Sequence, residues 1–118
     1  MLCDGDRIKA TFPLSAASEF TRSPQLICTN PTENAFLDEV DLEYDLVADW
    51  TFRGLEQPAL LCMTDALGHW LLSQRDRDSS PISILRKVRT HSAFARFVQE
   101  ERAAGRMKRD DTTLIALW

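Results

Sequence analysis

Met107–Trp118 reads MKRDDTTLIALW, a doubled aspartate set against an apolar run. Thr112 to Trp118 is rich in β-branched and large apolar side chains, and nothing polar interrupts it after Thr113, so it predicts a buried strand. Asp110 and Asp111 then stand at the entrance of that strand, where two readings are open. Aspartate accepts hydrogen bonds from nearby backbone and tolerates tight bends, which makes both residues turn formers. Carboxylates at the end of a buried strand also make a rigid oxygen site suited to Mg²⁺ or Mn²⁺.

A second run ends in a similar way. PALLCMTD, residues 58–65, is apolar over the length of a strand and predicts one buried on both faces. It stops at Thr64 and Asp65. In the following ALGHWLLSQ, residues 66–74, Leu67, Trp70 and Leu71 fall at helical spacing, with Thr64 as the expected N-cap. If this strand and the closing one are antiparallel neighbours, the exit of one lies beside the entry of the other. Asp65 and Asp110 would then share a rim, where a divalent cation could be held by carboxylate oxygens and keep several waters. The other reading of Asp65 is a first-turn acid favoured by the helix dipole.

The remaining segments extend this α+β pattern. DRIKATFPL, residues 6–14, alternates through Ile8, Ala10 and Phe12 and predicts an edge or half-buried strand. PQLICTN, centred on Leu26, predicts another strand, and SAASEFTRSP between them predicts a loop or short helix that carries Phe20 inward. ENAFLDEVDLEYD, residues 33–45, has Phe36, Leu37 and Val40 at helical spacing. LVADWTFRG, residues 46–54, alternates around Trp50 and predicts a strand ended by Gly54. Ser80 and Pro81 make a helix start with Ile82, Leu85 and Val88 as its inner stripe. HSAFARFVQEERAAGRM predicts an amphipathic helix with Phe94, Phe97 and Val98 inward, ending near Gly105. The expectation is one unit over 1–118: an antiparallel sheet of strands near Ile8, Leu26, Trp50, Leu61 and Ile115, with helices packed on one face.

Composition narrows the function. A chain of 118 residues with 44% apolar side chains can bury one core. A formal net charge of −4 argues against a nucleic-acid surface, which needs a concentrated basic face. Three cysteines, Cys3, Cys28 and Cys62, form no CxxC pair, so reduced thiols and a cytoplasmic chain fit best. Cys28 and Cys62 lie in apolar runs and are expected in the core. No stretch is long enough to span a bilayer, and MLCDGDRIKA lacks the apolar segment of a signal peptide. His69 lies one helical turn from Asp65 and could approach a metal there, although a structural role is the commoner one. His91 is expected as an exposed first-turn residue. Ser15, Ser18, Ser79 and Ser80 have no partnered His and Asp at informative spacing, which removes a hydrolase triad, and no glycine-rich phosphate loop is present.

LLCMTDALGHWLL and RDDTTLIAL together resemble two late motifs of the metal-dependent serine/threonine protein phosphatases of the 2C type, the PPM family. There a TDG or TDA element after a buried strand, and a terminal DN or DD before the last strand, carry metal-ligand aspartates. IKATFPLSAASEFTRSPQLICTN is similar to the Phe-Pro-Leu and Pro-x-Leu pattern that precedes TDA in some bacterial members, so the resemblance covers nearly the whole chain. It implies that Asp65 and Asp110 are metal ligands, that Asp111 and Thr64 support them, and that the metals are Mn²⁺ or Mg²⁺. It also implies half of an α-β-β-α sandwich, and hydrolysis of phosphoserine or phosphothreonine in a protein substrate by metal-activated water. Ala66 departs from the commoner TDG. The early Asp and DG elements that bridge the two ions have no counterpart here, since Asp4-Gly5 reads as a hairpin turn. The chain therefore resembles the C-terminal half of such a domain, whose partner would be the missing N-terminal half. A catalytically inactive phosphatase-like module acting in protein–protein interaction is the alternative, and an unrelated α+β binding domain is a third reading. Half a sandwich should also leave apolar surface that favours self-association.

Overall fold

A computed structural model describes residues 1–21, 32, 34, 35, 48–77 and 79–118. Among these residues the chain is α+β. Its sheet holds β1 (Leu2–Asp4), β2 (Arg7–Ala10), β3 (Pro58–Met63) and β4 (Leu114–Leu117) in the order β2-β1-β3-β4, every neighbour antiparallel. A 3-10 helix (Ala17–Thr21) follows β2, and α1 (Asp65–Arg75), α2 (Pro81–Lys87) and α3 (His91–Ala103) lie between β3 and β4. No helix among the described residues is long and apolar enough to cross a membrane.

β1 and β2 form a hairpin whose closing pair is Asp4 and Arg7. Gly5 takes a φ of 57°, a left-handed conformation that costs glycine nothing and that side-chain-bearing residues resist. The expected turn at Asp4-Gly5 is thus present, and the Asp4 carboxylate ties it to the segment that leads into β3. Its Oδ1 accepts the backbone N–H of Glu56 at 3.1 Å and of Gln57 at 2.8 Å.

Cys3, Ala59 and Leu61 point to the helical side of the sheet and are fully buried with Leu67, Trp70, Leu71, Leu72, Ile82 and Leu85. Trp70 centres this layer. Its ring meets Phe97 of α3 edge to face, at 4.9 Å between centroids and 81° between planes. Such a pair contributes about 1 kcal/mol beyond the area it buries. Trp70 Nε1 donates to Glu101 Oε2 at 2.8 Å, which satisfies the one polar atom of the indole. The 3-10 helix is seated on α1 at Gly68. A Cβ on Gly68 would fall 2.9 Å from Phe20 Cζ, so the ring rests on bare helix backbone.

Several expectations are corrected. Ala48–Trp50 and the residues that follow form no strand. The alternation there is real, but the segment bonds to itself: the Thr51 Oγ1 accepts the Arg53 N–H at 3.2 Å, and a backbone turn closes with the Leu55 N–H donating to Phe52 O at 3.2 Å. β1 was not expected, because three residues carry too little periodicity to register. β3 is not buried on both faces: Leu60 is half-buried and Cys62 is exposed, so Cys62 is no core thiol. The strand expected near Leu26, the helix expected over 33–45 and Cys28 lie outside the described residues.

Candidate metal centre at the β3 and β4 rim

β3 and β4 pair from Leu60 opposite Leu117 to Met63 opposite Leu114, so the exit of one strand and the entry of the other are side by side as expected. The pairing continues one step past the strands through Thr64. Its backbone N–H donates to Thr113 O at 3.3 Å, and its Oγ1 accepts the Thr113 N–H at 3.0 Å. The same hydroxyl donates to Asp111 O at 3.0 Å. Thr64 holds the N-cap position of α1, but its side chain makes no capping hydrogen bond. The oxygen that would serve the helix is committed to the β4 entrance instead.

Asp65 is the first residue of α1 and is exposed. A carboxylate there is favoured by the unpaired N–H groups and dipole of the helix end. It borders a cavity of about 240 Å³ otherwise lined mainly by apolar groups, including Leu14, Phe20, Met63 and Leu72. Asp110, also exposed, folds back on its own backbone, with Oδ1 accepting the Asp111 N–H at 2.8 Å. It borders a different hollow, of about 280 Å³, against the flank of α3 at Phe94, Val98 and Arg102. The rim therefore brings Thr64 and Asp111 into direct contact, while the Asp65 and Asp110 side chains front hollows on either side of it.

Arg102 organises the loop that carries Asp110, a role with no visible signal in the sequence. Its Nε donates to Lys108 O at 3.2 Å, and its Nη2 donates to Asp110 O and, at 2.8 Å, to Thr112 Oγ1. Thr112 Oγ1 in turn donates to Asp110 O at 3.0 Å. The guanidinium thus meets three partners spread over Lys108–Thr112, and its planar fork suits such fixed acceptors. It sits in the last turn of α3, six residues before Lys108, a separation that no periodicity marks.

The histidines keep their structural readings. His69 is half-buried, its ring edge-on to Phe20 at 5.9 Å between centroids, and its Nδ1 has no hydrogen-bond partner among the described residues. Burial first, and then the positive charge of Lys108, push its pKa below the usual histidine value, so it is neutral at pH 7. His91 is exposed at the start of α3, whose cap is Thr90 Oγ1 accepting the Ala93 N–H at 3.2 Å.

Among the described residues no group of three or more His, Cys, Asp or Glu side chains is placed to hold a metal ion. What the rim offers is two exposed carboxylates on braced backbone. No family model, curated protein or solved structure matches the chain.

Proposed function

We propose that the chain is the C-terminal part of the catalytic domain of a metal-dependent phosphoserine/phosphothreonine protein phosphatase of the 2C type. The observation that supports this most is the Thr64 junction. TDA and DDTT segments far apart in sequence meet at one rim, with a single hydroxyl bonded to both sides of the β4 entrance.

The donor chemistry fits Mn²⁺ or Mg²⁺, which take oxygen ligands and are commonly held by one or two carboxylates with the rest of the shell water. Asp65 and Asp110 would hold the metal. Thr64, the Asp111 carbonyl and Arg102 fix the backbone that carries Asp110, whose carboxylate would leave the Asp111 N–H and turn across the rim toward Asp65 on binding. A bound ion would supply Lewis acidity toward a phosphate oxygen and lower the pKa of water. Paired ions require a bridging carboxylate, and Asp4 is not available for it because its carboxylate caps the Glu56 and Gln57 backbone. The chain by itself is therefore expected to be inactive, and the missing N-terminal half is its partner in forming a site for a phosphorylated protein.

Manganese binding followed by electron paramagnetic resonance tests the site. Weak binding is expected, reduced about tenfold by either Asp65→Asn or Asp110→Asn, as loss of a charged ligand implies. A phosphothreonine peptide assayed in Mn²⁺ should show no turnover with the 118 residues alone and turnover when an N-terminal half is supplied. Metal-dependent turnover that survives Asp65→Asn would overturn both the ligand assignment and the need for a second half. The exposed Ile115 and Leu117 favour a second reading, an inactive phosphatase-like module that binds proteins; it holds if metal binds and no added half restores turnover.

A further inference from the structure

The two edges of the sheet are treated differently. β2, at one edge, presents Arg7 and Lys9 as exposed cations, and its pairing with β1 is irregular at Leu2 and Cys3. Charge and irregular pairing are how proteins prevent an edge from recruiting another strand. β4, at the other edge, is Leu-Ile-Ala-Leu with no charge, no proline and no irregularity in its pairing. Ile115 is 60% exposed and Leu117 63% exposed. An edge left in this state in a folded chain is one that something covers.

Charge at the two ends of β4 indicates what that is. At its entry, Asp110 and Asp111 are exposed and form no ion pair among the described residues. At its exit, Arg86 and Arg89 lie 4.6 Å and 5.9 Å from the centre of the Trp118 ring. Among the described residues Arg86 donates to backbone alone, at Gly5 O and Gln57 O, and neither arginine has a carboxylate partner. The strand is thus acidic at one end and basic at the other. A strand of that kind is complementary to itself when reversed.

We propose that the chain forms a two-fold dimer in which β4 of one copy pairs antiparallel with β4 of the other, joining the two sheets into one. A two-fold interface presents the same patch from both copies, and directly opposed residues of an antiparallel pair share a face. With the axis at Ala116, Ile115 of each copy lies opposite Leu117 of the other on the outward face, and Leu114 lies opposite Trp118 on the inward face. The acidic entry of each strand then runs beside the Arg86 and Arg89 side chains of the other copy. On the inward side, a groove of about 400 Å³ lined by Val88, Phe94, Leu114, Ala116 and Trp118 leaves room for the partner's side chains. This inference rests on the edge and its charges and is independent of the phosphatase reading.

Sedimentation velocity of the 118-residue chain over a micromolar concentration series, with reductant present to exclude a Cys62 disulfide, tests it. A reversible dimer is expected. Ile115→Lys, at an exposed position, should weaken it about tenfold or more by placing a desolvated charge in the interface, and Leu117→Lys should do the same, with circular dichroism unchanged in both. Arg89→Glu should weaken the dimer and Arg89→Glu with Asp111→Arg should restore it. A monomer at every concentration overturns the proposal, as does a dimer indifferent to Ile115→Lys and Leu117→Lys, which would assemble through another surface.

Discussion

Cys3 and Cys62 sit on neighbouring strands of one sheet and meet opposite surroundings. Cys3 points at the helices and is fully buried, whereas Cys62, paired with Ile115, points away from them and is exposed. The same division runs along β3 and β4: Ala59, Leu61, Leu114 and Ala116 face the core, while Cys62, Ile115 and Leu117 do not. Both faces are apolar, so composition does not separate them. What separates them is what the described helices cover: one face packs against them, and the other keeps Cys62, Ile115 and Leu117 exposed.

The largest test of that division is a pair of truncations. Leu61→Ala removes a fully buried side chain and should cost about 2–5 kcal/mol in urea unfolding, through lost transfer energy and the cavity left behind. Leu117→Ala, measured at a concentration too low for association, should cost about 0.5 kcal/mol or less. Equal costs would mean that the outward face is covered within a single copy.

The thiols give a second contrast. Burial pushes the Cys3 pKa up to about 11, despite the opposing influence of the chain's amino terminus and of Arg86. In a Cys28→Ser background, iodoacetamide at pH 8 should modify Cys62 faster than Cys3 by on the order of a hundredfold, since the thiolate is the reactive form and Cys3 is also shielded. Equal rates would place Cys3 at the surface.

The smallest effect concerns the helix that supports the buried face. Glu101 is held below its ordinary pKa of 4.5, first by its hydrogen bond and ion pair with Arg106 and then by the Trp70 indole, with burial opposing both. A depressed carboxylate stabilises the fold above its unfolded value, and this stability is lost as pH falls through the lower folded value. Wild-type stability should therefore drop more steeply below pH 4.5 than that of Glu101→Gln, with the two curves running parallel above it. Parallel curves throughout would mean that the Glu101 contacts contribute nothing in solution.

Much of the sheet was legible because β3 and β4 are unbroken apolar runs, although β4 is not the buried strand expected, since Ile115 and Leu117 are exposed; α1 and α3 were legible because their apolar residues recur at helical spacing. β1 escaped notice for its length. The segment around Trp50 misled because alternation alone does not distinguish a strand from a turn whose hydroxyl and glycine redirect the chain. At the candidate site, Asp65 and Asp110 could be placed on neighbouring strand ends from order and context. The Thr64 cross-link and the Arg102 clamp could not, since each depends on where a side chain turns once two distant segments have met.

Phe20 and Gly68 carry one more consequence. The short helix bearing Phe20 covers part of the hollow in front of Asp65, and its seat is defined by a side chain that α1 does not have. Position 68 therefore works as a gauge: its bulk sets the height of that cover above the helix. A single methyl group there would act as a wedge, lifting the aromatic ring and widening the hollow while leaving the carboxylate itself untouched.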